Sequence, residues 1–477
     1  MGEPKGFLHH KRKDPGYRPR KKRLTDFRAV ELSLSDDELR KQAARCMECG
    51  TPFCHGFGCA LSNAIPEMND LVYQDRWEEA LHLLLSTNPF PEFTGRLCPA
   101  LCEASCVLGI NDEPVTVRQL ELAIIEKAFE NGSIHTWIPP KRVDKCIAVV
   151  GSGPSGLAVA DVLNKAGYRV MVYESAQEAG GLLRYGIPDF KLEKWVVDRR
   201  IHLMQAAGIA FEVGVTVGRD ISYKHLVDTF DALCLCGGAR EPRDLDVPSR
   251  DLKGIHFAMD YLVAQNKRNA GEQLSPEEDI DAKGKSVVII GGGDTGSDCL
   301  GTALRQGAAN VYQLEVLPEP PRQRPGSTPW PMWPNIRRDT SSHQEGGERR
   351  WSVGTRSFHG DNGHVTGLSC VEVNCKRGSN GQLEFEEKSG SGFDLEAQLV
   401  LLAMGYVGPG PNKVFDELGL ERDTRGNICT DSQHMTSVEG VFAAGDMAIG
   451  QSLVTRAIAD GRDAANAIMR FLKRKGR

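Results

Sequence analysis

Apolar side chains recur at helical spacing over residues 1–145, then give way to short unbroken apolar runs bounded by glycine. In the first region Ser35-Asp36-Asp37-Glu38 reads as a capping box that opens a helix through ELRKQAARC and brings Cys46 to its end. Residues 75–86 (DRWEEALHLLLS) predict a second helix, and residues 116–129 (TVRQLELAIIEKAF) a third, stopped by Asn131-Gly132. In that third helix Val117, Leu120, Ile124 and Ala128 make one apolar stripe, and Glu121 sits on the same face. A carboxylate among core-facing residues is costly unless it is paired or bound to a metal. The proline-rich TWIPPKR closes the region.

The second pattern occurs twice. CIAVVGSGPSGLAVADVLNKAGYRVMVYE is an apolar strand, a glycine turn, a helix and a second strand, and KSVVIIGGGDTGSDCLGTALRQGAANVYQLE repeats it about 140 residues later. That spacing is too long for a solenoid and predicts two separate dinucleotide-binding modules. After Leu399, LVLLAMGY and GVFAAGDMAIGQSLVTRAIADGRDAANAIM predict a strand, a Gly-Asp turn and a long helix. The expected fold is an α+β multidomain chain, with a helical N-terminal domain over residues 1–145 and two Rossmann-like α/β domains after it.

Composition and charge narrow the function. At 477 residues there is room for about three domains, and 51 glycines suit nucleotide-binding turns. A net charge of −6 implies no general nucleic-acid or membrane partner, and no apolar run is long enough to predict a membrane span. The charge is uneven, because residues 1–30 hold ten Lys/Arg against Glu3, Asp14 and Asp26. That arm reads either as a solvated, partly disordered segment or as a dock for an acidic surface or nucleic acid. No apolar stretch follows it, so it does not read as a secretory signal. A cytoplasmic, reducing setting makes clustered cysteines ligands rather than disulfides.

Seven of the fourteen cysteines form such clusters: Cys46, Cys49, Cys54 and Cys59, then Cys98, Cys102 and Cys106. Soft thiolates at these spacings suit iron–sulfur clusters, and two four-iron clusters require eight ligands. His55, Glu103, Gln119 and Glu121 are the candidates for the eighth, with a plain salt bridge as the alternative for Glu121. Zinc is the alternative metal, but it has no redox chemistry to offer a nucleotide-dependent reductase. Cys234 and Cys236 alternate along one strand and read as core thiols rather than a redox pair.

In the first module Gly151 permits the tight turn, Gly153 lets a pyrophosphate approach the backbone, and Gly156 lets helix and strand pack closely. Pro154 and Ser155 open the helix whose N-terminus faces the phosphates, and Glu174 ends the second strand where an acid accepts ribose hydroxyls. Paired with the C-terminal Gly-Asp motif, this unit resembles the FAD domain of the glutathione-reductase-like flavoproteins. That resemblance implies an FAD domain split over 146–255 and 406–477, with an NAD(P)H domain at 256–405 inserted. It implies that Gly445 permits close approach and that Asp446 meets a ribityl hydroxyl. The helix near Ser452, flanked by Gln451 and Val454, would then aim its N-terminus at the flavin edge. Gly291, Gly292, Gly293, Asp294, Thr295 and Gly296 would hold the pyridine nucleotide. Glu315 favours NAD, Arg322 and Arg324 favour a 2′-phosphate, and the reading adopted is NADPH.

Taken together, CMECGTPFCHGFGC, GRLCPALCEASC, VVGSGPSGL, GGLLRYGIPDFKLEK, GGGDTGSDC and GVFAAGDMAIGQSLVTRAIADGR resemble the small (beta) subunits of bacterial glutamate synthase. These belong to a reductase superfamily shared with dihydropyrimidine dehydrogenase, and WPMWPN and GFL favour the glutamate synthase branch. The resemblance implies oxidation of NADPH at FAD, by hydride transfer from nicotinamide C4 to flavin N5. It implies onward electron transfer through two [4Fe–4S] clusters to the FMN of a large (alpha) subunit. That subunit would make glutamate from glutamine and 2-oxoglutarate within a cytoplasmic hetero-oligomer. It places Cys46, Cys49, Cys54 and Cys106 on one cluster, Cys59, Cys98, Cys102 and Glu121 on the other, and Gly181, Leu182 and Arg184 along the FAD. Hydride transfer between stacked rings needs no side-chain acid or base, so no catalytic residue is named. The alternatives are a related NAD(P)H reductase serving a different partner, and a scaffolding homologue whose cofactor sites are dead.

Overall fold

The structure, a computed structural model, describes residues 3–378, 382–411 and 413–475. Ser35 caps the helix Asp36–Ala43, its hydroxyl accepting from the Glu38 amide at 3.4 Å, and acids fill the first turn where the helix dipole favours them. The helices Trp77–Thr87 and Val117–Glu130 lie where the apolar spacing predicts. Two more, Ile65–Tyr73 and Pro91–Leu97, were not foreseen. Each carries a proline in its first turn, which reads as a breaker in sequence but suits a helix start, where no amide hydrogen is needed. Leu39, Met68, Val72, Leu84, Leu120, Ile124 and Ile125 close the core of this helical region.

Two five-stranded parallel sheets follow. In the first, Cys146–Val150 is central, between Arg169–Glu174 and Ala232–Leu235, with Ala210–Val213 and Val441–Ala443 at the edges. The second runs Ile255–Phe257, Leu399–Leu402, Ser286–Ile290, Asn310–Glu315, Glu348–Trp351. The fold is thus the expected one, a helical region followed by two Rossmann-like α/β units. An antiparallel sheet built on the hairpin Val353–Asp361 and His364–Arg377 was not anticipated. Among the described residues no helix is long and apolar enough to cross a membrane.

The basic N-terminal arm is folded against its own chain. Arg12 pairs with Glu103 at 2.7 Å and Arg18 with Asp26 at 2.6 Å. Arg45, fully buried, donates to the carbonyls of His10, Glu113 and Pro114 at 3.1, 2.7 and 2.9 Å. Further along the arm, Arg23 reaches Glu345 at 3.1 Å, and Arg305 holds the same carboxylate at 2.6 and 3.0 Å. Arg305 also lies 3.9 Å from the Phe190 ring centre, and the Phe190 carbonyl accepts from Val30 at 3.1 Å. One buried carboxylate therefore joins the arm to the second α/β unit, and Phe190 adds the first. The reading of the arm as solvated, or as free to dock a partner, is corrected for the arginines engaged here.

Glu345→Ala leaves Arg23 and Arg305 buried without their counter-charge. The expected cost is about 3–5 kcal/mol, measured as a lower calorimetric unfolding midpoint. An unchanged midpoint contradicts the hub.

Candidate functional site

The seven clustered cysteines fold into two groups, with Cys102 and Cys106 buried and the other five half-buried. Cys46, Cys49, Cys54 and Cys106 line one cavity, whose walls include Ile65, Asn69, Val115 and Val117. Burial pushes the Cys46 thiol up to about 11 and Cys54 to about 12, and the nearby Cys106 adds to both. The second group is Cys59, Cys98 and Cys102, with Glu121 beside them. Burial lifts Cys59 to about 12 and Cys102 well above its ordinary value, and Glu121 raises both further. Backbone amides point at these sulfurs, from Asn63 to Cys59 at 3.5 Å and from Ala100 to Cys98 at 3.4 Å.

Glu121 is itself buried, and desolvation lifts its carboxyl to about 7. It makes no ion pair among the described residues. Its Oε1 accepts instead from the Asn63 amide at 2.7 Å. The other candidates are placed differently. Glu103 is taken by Arg12 and by the Arg118 backbone at 3.0 Å, His55 faces the Asn63 carbonyl at 2.8 Å, and Gln119 is buried with Nε2 unpaired.

No three His, Cys, Asp or Glu side chains among the described residues close to single-ion distance. A four-iron cube is a body of eight atoms, and it holds its thiolates further apart than one tetrahedral ion does. The donor chemistry fits the cube: soft sulfurs, aimed amides, and buried thiols that ionise only when cationic iron offsets their charge.

The second site is a cavity of about 1270 Å³ beside the first sheet. Gly151, Gly153, Pro154, Ser155, Glu174, Gly181 and Leu182 line it, facing Asp446, Ser452 and Val454 from the far end of the chain. Gly151 has φ +103°, and a Cβ there would run into the Cys236 carbonyl. Glu174 also braces its own turn, accepting from the Ser152 amide at 3.0 Å and the Ala176 amide at 2.9 Å. Gly445 donates to Asp460 at 2.6 Å, and Asp446 accepts from the Ser452 amide at 3.1 Å and hydroxyl at 2.9 Å. Burial raises the Asp446 carboxyl. The helix expected near Ser452 begins at Val454.

Gly445 does not line the cavity, and neither do three further predicted contacts. Gly156 packs helix on strand, Arg184 pairs with Asp198 and donates to the Ala179 carbonyl at 2.8 Å, and Gln451 clasps the Tyr406 backbone at 2.8 and 2.9 Å.

In the second unit Gly293 caps the helix Asp294–Gln306, which carries Thr295 and Gly296 in its first turn. Gly291 has φ +132°, and the Gly292 amide donates to Glu315 at 3.0 Å, repeating the Ser152–Glu174 bond. This turn does not line the large cavity. Arg322 is exposed. Arg324 is engaged elsewhere, donating to the carbonyls of Thr328, Met332 and Ala104 at 3.2, 2.5 and 3.1 Å.

The loop that carries Arg324 reaches the first thiol group, a contact that sequence reasoning missed. Trp330 donates to the Cys106 carbonyl at 3.3 Å, its ring centre lies 4.7 Å from that of Phe53, and Ser105 donates to the Pro331 carbonyl at 2.8 Å. Asn63 and Asn69 were missed as well. A polar residue at helical spacing among Ile65, Met68 and Val72 was the available signal for Asn69.

Comparison with known proteins agrees with this geometry. Residues 23–133 match the family described as dihydropyrimidine dehydrogenase domain II, 4Fe-4S cluster, and residues 145–461 match pyridine nucleotide-disulphide oxidoreductase. The chain is 51% identical over 476 residues to the glutamate synthase [NADPH] small chain of Mycobacterium tuberculosis, covering 99% of this chain and 96% of that one. It is 44% identical over 487 residues to the corresponding Bacillus subtilis chain, covering 99% of each. It is 46% identical over 475 residues to a Schizosaccharomyces pombe glutamate synthase [NADH], covering 97% of this chain and 22% of that protein. Mycobacterium tuberculosis FprA in complex with NADPH shares the fold, at 20% identity and a TM-score of 0.55, over 70% of this chain and 85% of FprA.

The C-terminal helix meets the first turn at Gly461, where a Cβ would overlap the Ser155 backbone. Gly461→Ala should therefore weaken flavin retention about tenfold or more, as overpacking of about 1–3 kcal/mol implies. The flavin-to-protein ratio after gel filtration measures it, and full retention contradicts the packing argument.

Proposed function

The chain belongs to the glutamate synthase small-chain family, and on that premise we propose that it is the electron-input subunit of a cytoplasmic glutamate synthase hetero-oligomer. It oxidises NADPH and passes electrons, by way of FAD and two [4Fe–4S] clusters, to the FMN of a large subunit. That subunit makes glutamate from glutamine and 2-oxoglutarate. The observation that carries this reading is the sorting of seven thiols and Glu121 into two groups, in a chain whose first glycine turn and Gly-Asp motif share one cavity.

When bound, FAD accepts a hydride and releases electrons singly to the clusters, a conversion that no side chain can perform. The chain's own residues bind and orient. Gly151, Gly153 and the helix opened by Pro154 would receive the pyrophosphate, Glu174, which braces the turn, would meet the ribose, and Asp446, held by Ser452, would meet the ribityl chain. Cys46, Cys49, Cys54 and Cys106 would hold one cluster, and Cys59, Cys98, Cys102 and Glu121 the other, with Asn63 fixing the Glu121 rotamer.

One observation favours a second reading for the nucleotide. Arg324 is committed to carbonyls, and Glu315 sits at the second turn, an arrangement that suits a free ribose hydroxyl and hence NADH. Under the NADPH reading exposed Arg322 supplies the 2′-phosphate contact. The expected kcat/KM for NADPH over NADH exceeds unity and drops about tenfold or more in Arg322→Ala, in line with a charged contact of about 1.5–3 kcal/mol. A wild-type preference for NADH selects the second reading.

The isolated holo-chain should reduce dyes with NADPH, form no glutamate, and contain about eight irons. In Glu121→Ala, iron analysis and low-temperature EPR should show one cluster lost or converted. Two unchanged clusters in that variant reject Glu121 as a ligand, and glutamate formation by the isolated chain rejects the assignment.

A further inference from the structure

Asn69 stands apart from the other buried asparagines of the helical region. It lies on the helix Ile65–Tyr73, on the face that buries Ile65, Met68 and Val72, and it is 0% exposed. Both of its amide atoms lack a hydrogen-bond partner. Asn63 and Asn88 are equally buried yet satisfied: Asn63 bonds Glu121 and Thr87 at 2.7 and 2.8 Å, and Asn88 bonds Thr94 and the Phe90 amide at 2.8 and 3.1 Å. An unpaired buried amide costs about 1–3 kcal/mol, whereas a leucine at this place would extend the apolar stripe. The amide is one wall of the cavity that holds Cys46, Cys49, Cys54 and Cys106. It approaches the Cys46 thiol without reaching ordinary hydrogen-bond geometry.

We infer that Asn69 is a hydrogen-bond donor to the sulfur of the cluster held by Cys46, Cys49, Cys54 and Cys106, and that it raises the reduction potential of that cluster. The inference rests on the proposed assignment of those four thiols to one cluster. The partner that satisfies the amide must accept a hydrogen bond inside a cavity walled by thiols and aliphatic side chains, and an anionic sulfur meets that requirement. Reduction adds one negative charge to the cluster, so an N–H donor stabilises the reduced form more than the oxidised form. Beside the second thiol group, Asn63 is already committed to Glu121. Asn69 is thus a positioning residue that acts through sulfur, and its effect falls on the potential of this site and not of the other.

The test is an EPR-monitored redox titration of the anaerobic holo-chain, wild type against Asn69→Leu, with iron and sulfide analysis of each. The expected result is unchanged iron content, a lower midpoint for one cluster and an unmoved midpoint for the other. Unmoved midpoints for both in an iron-replete variant overturn the inference. Should Asn69→Leu fail to fold or lose iron, the decision passes to the chain with Asn69 intact, labelled with ¹⁵N at asparagine side chains. Pulsed EPR of the cluster signal that Glu121→Ala leaves unchanged should then show a coupled side-chain nitrogen, and its absence overturns the inference. A wild-type chain without iron removes the cluster assignment itself, and this inference with it.

Discussion

Seven thiols, buried or half-buried, and a buried carboxylate gather in the helical region, and among the described residues the carboxylate has no ion-pair partner, only the more distant field of Arg118. Burial alone would keep such groups protonated, as the raised Cys46, Cys54, Cys59 and Glu121 values express. Positive charge must come from a bound group, and much of the surrounding structure serves to hold a cavity ready for it. Arg45 fixes the loop that follows Cys106 through the backbone carbonyls of Glu113 and Pro114, Asn63 fixes Glu121, and amides from Asn63 and Ala100 face two of the sulfurs. These interactions orient polar groups without neutralising the site, which suits a centre whose charge changes as it works.

The same economy of charge governs how the domains are joined. Glu345 and Glu92 are both fully buried, and each is bonded to arginine from another part of the chain. A buried ion pair adds little net stability over an apolar contact, but it tolerates only one geometry, because breaking it leaves a bare charge in the interior. For a protein that must hold two sulfur sites and a nucleotide cavity at set separations, that intolerance is useful. Cys59 and Leu97 pack against the core of the first α/β unit, so the second thiol group lies at a seam between domains. The first thiol group is reached by the Trp330 loop, which follows the Asn310–Glu315 strand of the second unit.

Much of the architecture could be read from local pattern. The capping box at Ser35, the stripe of Val117, Leu120, Ile124 and Ala128, and both strand–turn–helix units appear where period and turn chemistry put them. The helices that carry Pro66 and Pro91 in their first turns were not predicted, and a proline suits a first helical turn because no amide hydrogen is needed there. The basic arm misled for another reason. Charge density marks a segment as solvated only on average, and here Arg12, Arg18 and Arg23 find acids far along the chain or across a turn. Arg324, assigned to a phosphate by its distance from a strand end, turns to carbonyls at 104, 328 and 332, one of them in another domain.

By itself, then, the sequence determined the kinds of element, their order, the chemistry of the donors and the two nucleotide turns, because those depend on residues within a few positions of one another. Which thiols share a cavity was a different matter, as were the settings of Glu121 beside Asn63 and of Asn69 with an open amide, and the contact of a distant tryptophan with the first group. Those were decided by tertiary packing. Each joins residues tens or hundreds of positions apart, and no local periodicity encodes which buried polar group ends up facing which.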